Sequence, residues 1–104
     1  MNQYQIKIDP EALADIQEIT DWYNEQQPGL GGKFQKTTIQ HINSLRKDPQ
    51  IYAVRYKEIR CIIVKKFPFM IHFHLNQERN TVSVLAVIST HRNPKIWEEK
   101  SKKY

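Results

Sequence analysis

The segment Thr81 to Ser89 reads Thr-Val-Ser-Val-Leu-Ala-Val-Ile-Ser, and its apolar residues Val82, Val84, Leu85, Ala86, Val87 and Ile88 fall on both sides of an extended chain. A strand apolar on both faces belongs in the middle of a sheet, because an edge or one-sided strand would alternate polar and apolar residues. The fold must therefore flank this segment with other strands and cover it with a second layer. A helical hairpin can cover one face, and a bound partner the other. With 104 residues the chain has room for one core of this kind.

The N-terminal half supplies the hairpin. Tyr4, Ile6 and Ile8 alternate with Gln5 and Lys7, the period of a half-buried strand. Asp9-Pro10-Glu11 then gives an N-cap acceptor, a proline at the first helical position and an acid facing the positive end of the helix dipole. A helix over about residues 10 to 27 is predicted, with Leu13, Ile16, Ile19 and Tyr23 inward, Trp22 at the flank, and Asp15, Glu18, Asp21 and Glu25 mostly in water. Pro28-Gly29-Leu30-Gly31-Gly32 breaks it and holds all three glycines of the chain. A phosphate cradle would need a preceding strand and different glycine spacing, so the segment reads as a tight link between antiparallel helices. The second helix, about Lys33 to Lys47, carries Phe34, Thr38, His41, Ile42 and Leu45 on one stripe and stops before Asp48-Pro49. His41, inside that stripe, reads as a packed, hydrogen-bonded histidine rather than a ligand or base.

Past Tyr52 the period changes to about two. Ile59 to Lys65 is predicted as a strand, Phe67-Pro68 as its turn, Phe69 to Leu75 as the next strand, and Asn76 to Asn80 as the loop before the central strand. Phe69, Ile71, Phe73 and Leu75 point one way, with Met70, His72 and His74 on the other face. The expected fold class is α+β, in the order β-α-α-β-β-β, with the helical hairpin packed on a small, mainly antiparallel sheet. One domain is expected over 1–97, followed by a short charged tail, 98–104.

Charge is uneven along the chain. Residues 1–50 carry five Lys/Arg against seven Asp/Glu, a net of −2, and residues 51–104 carry eleven against four, a net of +7. Such a half is suited to polyanions or to an acidic partner. The single cysteine, Cys61, excludes an internal disulfide and a multi-cysteine metal site, and its apolar surroundings make it a small buried hydrophobe. No metal or cofactor is expected. The first residues lack a signal-peptide pattern and no apolar run approaches the roughly 20 residues of a membrane span, so the expected location is the cytoplasm.

Several stretches of wording are more specific than this outline. They are Ala14-Asp15-Ile16-Gln17-Glu18-Ile19 with Trp22-Tyr23, Gly29-Leu30-Gly31 with Phe34, Phe67-Pro68-Phe69-Met70-Ile71, and Val84-Leu85-Ala86-Val87-Ile88-Ser89-Thr90-His91-Arg92-Asn93-Pro94-Lys95-Ile96-Trp97. Together with the element order, they resemble the RelE/ParE superfamily over nearly the whole chain, and the closing segment is similar to plasmid-stabilisation, ParE-like toxins. The resemblance implies the toxin of a bacterial type II toxin-antitoxin system, blocked by an adjacently encoded antitoxin that wraps its sheet and helices. It also implies that operator DNA is met only through the antitoxin.

The resemblance leaves the target open between DNA gyrase, as for ParE members, and messenger RNA in the ribosome, as for RelE members, since both share the fold. Metal-independent RNA cleavage needs a base, an acid and cations around the phosphorane. The strand positions that carry lysines in the RelE prototype fall here on Cys61 and Ile63, which read as core residues. Its central arginine falls on Met70, its C-terminal tyrosine on Trp97 and its second arginine on His91. Histidine is the side-chain type whose ordinary range of protonation suits proton transfer near neutral pH, and arginine can hold a phosphate with two bonds, so His91 and Arg92 are the candidate catalytic pair. Arg60, Lys65, Lys66, His72, His74 and Trp97 are candidates for binding nucleic acid or another target. The expected function is ParE-like gyrase inhibition. The alternatives are a ribosome-dependent endoribonuclease and a non-toxic member kept for antitoxin binding.

Overall fold

The computed structural model describes residues 3–91. Strand β1 (Gln5–Ile8) leads into helix α1 (Pro10–Gln26) and helix α2 (Leu30–Ser44), a 3-10 turn (Pro49–Ile51) follows, and after it come β2 (Val54–Tyr56), β3 (Ile59–Ile63), β4 (Phe69–Asn76) and β5 (Thr81–Ser89). The five strands form one sheet in the order β1-β5-β4-β3-β2. Among the described strands, only the β1–β5 pair is parallel. The α+β class and the mainly antiparallel sheet are as expected, with one strand more than the sequence suggested. The tail 98–104, and the domain boundary at 97, lie outside the described residues.

β5 is indeed interior, paired with β1 on one side and β4 on the other. Its alternation is broken at one point. His72 lies opposite Ala86 and Phe73 opposite Val84, so Leu85 is an extra residue, a β-bulge. The bulge resets the pleat so that Val84 and Val87 both reach the core under the helices with Val82, Ile71, Phe73 and Ile62. The other side of the sheet is closed over much of its area as well, since Ile59, Met70, His72, Ala86 and Ile88 are all buried in the single chain.

Helix α1 sits one step off the predicted stripe. Ala12, Ile16 and Thr20 are its buried residues, whereas Leu13 is 52% exposed. Small side chains at 12 and 20 let α1 come close to its neighbours, and Leu13, about 100° from Ala12, is turned outward. Asp9 occupies the N-cap position but its side chain makes no capping bond; its backbone N–H instead donates to the Val84 carbonyl and prolongs the β1–β5 pairing. Helix α2 starts three residues earlier than expected, because Gly29, at φ +90°, reverses the chain at once and leaves Gly31 and Gly32 inside the helix. Phe34, Thr38, Ile42 and Leu45 are buried as the stripe required.

Asp15 is not simply a solvated acid. Past Asp9 the chain turns into α1 and leaves β5, and the Asp15 carboxylate of α1 accepts the Val87 backbone N–H at 3.0 Å. Asp15→Ala, which orphans an N–H beside a buried residue, should cost about 1–3 kcal/mol in urea denaturation. Asp15→Asn keeps an acceptor oxygen and should cost clearly less; equal losses would mean that the bond contributes nothing.

Candidate functional site

The sheet face turned away from the helices carries the strand positions singled out by sequence. Because directly opposed residues share a face, the pairs Ile63↔Met70, Cys61↔His72 and Ile59↔His74 all lie there. His72 is fully buried, with its Nδ1 2.9 Å from the Tyr56 hydroxyl and 3.3 Å from the Cys61 sulfur. Tyr56 reaches it from β2, the strand the sequence did not reveal. Burial pushes the Cys61 thiol up to about 11, against a smaller opposing pull from Arg55. A thiol in that state is protonated at neutral pH and is a poor nucleophile.

Two expectations need correcting here. Ile63 is 61% exposed and Cys61 is only partly buried, so neither is a plain core residue. The reason is local: β2 pairs with β3 only as far as Arg60, which leaves the Cys61 to Ile63 stretch at an open edge.

The remaining candidates do not gather at one point. Arg60 lies opposite Phe73, on the helix side, and its guanidinium donates to the Tyr52 carbonyl at 2.6 Å and the Gln50 carbonyl at 3.3 Å. It ties down the segment that leads into β2. Lys65 and Lys66 lie in the β3–β4 turn, both exposed, with Lys66 at φ +71°. His91 is exposed just beyond β5, where its backbone N–H donates to Ser89 Oγ and the neighbouring Thr90 N–H donates to the Pro68 carbonyl. That places His91 at the same end of the sheet as the β3–β4 turn, while His74 lies toward the opposite end. Arg92 and Trp97 lie outside the described residues. Among the described residues no group of three or more His, Cys, Asp or Glu side chains could hold a metal ion, and no helix is long and apolar enough to cross a membrane.

His41 has a defined role near that end. Its Nε2 accepts the Lys65 backbone N–H at 3.1 Å, so the ring is neutral and pins the turn to α2. Burial, reinforced by the Lys65 charge, holds its pKa below the usual 6.5. The unfolded chain therefore takes up the proton first, and stability present above pH 6.5 should fall as pH drops below it. Thermal melts from pH 7.5 to 5 should show a smaller acid loss for His41→Gln than for the wild type; parallel curves would remove His41 from this linkage.

Comparison with known proteins decides the family. The family described as the ParE toxin of the type II toxin-antitoxin system, parDE, matches residues 6–94. The chain belongs to the ParE toxin family. Solved structures agree on the fold. The chromosomal ParDE system of P. aeruginosa superposes with a TM-score of 0.72 at 19% identity, over 84% of this chain and 96% of that one. A mutant of the E. coli toxin RelE in the free state gives 0.72 at 14% identity over 97% of each chain. The E. coli RelBE toxin-antitoxin complex gives 0.66 at 16% identity, over 86% of this chain and 99% of that one. No curated protein sequence matches the chain. As a ParE toxin, the chain is the toxin component of a type II toxin-antitoxin system, and the RelE likeness at these identities concerns the fold alone.

Proposed function

We propose that this ParE toxin arrests growth by inhibiting DNA gyrase in the cytoplasm, through protein-protein contact and without cutting RNA, and that an adjacently encoded antitoxin neutralises it. The observation that carries this reading is the chemistry of the sheet face. Cys61, Ile63 and Met70 stand there, a protonated thiol and two apolar side chains, and His72 beside them is sealed from solvent. None of the four offers an accessible base, an acid or a cation for a phosphorane. Inhibition by binding requires no such groups.

Induced expression should arrest growth, co-expression of the neighbouring small antitoxin gene should restore it, and the purified chain should block supercoiling by gyrase. Primer extension on messenger RNA from arrested cells should show no new cleavage. The competing nuclease reading rests on His91, which is exposed, with Arg92 next to it in sequence. Cleavage in that assay, abolished by His91→Ala or Arg92→Ala, would replace gyrase with ribosome-bound messenger RNA as the target. A chain that binds the antitoxin yet never arrests growth would instead be a non-toxic member of the family.

A further inference from the structure

A groove runs between α2 and the β3–β4 turn. Lys33 and Lys36 line it from the helix, Lys65 and Lys66 from the turn, and Leu30 and Phe67 give it an apolar part. Among the described residues, no Asp or Glu lines it. The arrangement is held in place: His41 accepts the Lys65 N–H, Lys66 is fixed in the left-handed region, and the Phe67 ring packs edge-on against Tyr23 and Phe34 at 5.1 and 5.4 Å. Four like charges around one groove repel one another in the free chain, and a bound anionic partner relieves that cost.

We infer that this groove seats an acidic, amphipathic segment of a partner protein, with carboxylates toward the two lysine pairs and an apolar side chain over Leu30 and Phe67. The inference does not depend on which cellular target the toxin has. A nucleic-acid backbone fits less well. Phosphate recognition favours the forked guanidinium of arginine, and single strands favour a free aromatic face for stacking. Among the described residues the cations of the groove are all lysines, and its aromatic ring, Phe67, is engaged by Tyr23 and Phe34. The apolar part has no counterpart on a phosphodiester chain, whereas a peptide that interleaves Glu with Leu supplies both chemistries.

The test is fluorescence polarisation of the full chain with three labelled probes: a peptide interleaving Glu with Leu, a peptide of equal charge interleaving Glu with Ser, and a short DNA duplex. The Glu/Leu peptide should bind best. The combined variant Lys33→Gln, Lys36→Gln, Lys65→Gln, Lys66→Gln should weaken that binding by about tenfold or more. An equally neutralised control, Lys7→Gln, Arg46→Gln, Lys57→Gln, Arg79→Gln, changes exposed residues outside the groove and should stay within about twofold of the wild type. Circular dichroism and melting establish that both variants are folded. Equal peptide binding by wild type and groove variant overturns the inference, as does equal binding of the Glu/Ser peptide. Preferential loss of duplex binding in the groove variant would make the groove a nucleic-acid site instead.

Discussion

Gly31→Ala should destabilise the domain by about 2–4 kcal/mol, while Gly32→Ala, one residue along the same helix, should stabilise it by roughly 0.5–1 kcal/mol. The two glycines share secondary structure and differ only in what a methyl group would meet. At Gly31 a Cβ would run into the Thr20 carbonyl oxygen and the Asn24 side chain, both on α1; at Gly32 nothing lies within 4 Å. The Thr20 oxygen is backbone in mid-helix, so relief requires α1 and α2 to move apart. That separation also threatens the 2.8 Å bond from the Gly31 N–H to Asn24 Oδ1 and the packing of Phe34 one turn on. For a domain of this size, the loss corresponds to a fall in Tm of about 10–25 °C, and the gain at Gly32 to a few degrees upward. Gly32→Ala serves as the internal control. If the two variants melt together, the close approach of the helices is not what glycine provides at 31.

The contrast also bears on how the sequence was read. Three clustered glycines announced a break, and Gly29 makes it, but composition could not separate a glycine needed for positive φ from one needed for close approach or one with open space. Long periodic stretches were legible because burial enforces their period: the stripe of α2 and the interior position of β5 both follow from apolar spacing. β2 was not legible. It has three residues, and its turn at Lys57-Glu58 adopts positive φ without glycine, asparagine or aspartate to mark it. With β2 hidden, Tyr56 could not be placed beside His72, and Cys61 and Ile63 looked like core rather than an open edge. The side of the sheet on which Arg60 lies was hidden for a related reason, since only the register against Phe73 assigns it to the helix side. Asp15 looked solvated because a bond to Val87 spans most of the chain. The groove lysines come in two pairs about thirty residues apart, one in each half of the charge division, so no sequence window contains both.

Phe34→Ala should be the most damaging single truncation near that groove, at about 3–5 kcal/mol. Phe34 is fully buried on α2, with ring centroids 5.6 Å from Tyr23, 5.4 Å from Phe67 and 5.5 Å from Phe69. It is therefore the point where α1, α2, the β3–β4 turn and the start of β4 meet. Removing the ring loses its transfer free energy and leaves a cavity that three other aromatic rings can only partly fill. For a domain whose total stability is about 5–15 kcal/mol, this takes roughly a fifth or more. Phe34→Leu retains most of the volume and should cost about 1–1.5 kcal/mol, so urea midpoints should rank wild type, Phe34→Leu and Phe34→Ala in that order. The two variants should also differ locally. Phe67 leans on Phe34 in the same turn that carries Lys65 and Lys66, so amide exchange at Lys65 should accelerate in Phe34→Leu while amides in the interior of β5 keep their protection. Uniform acceleration at both places would mean that the turn opens only with the whole domain, and that the groove is as rigid as the core beneath it.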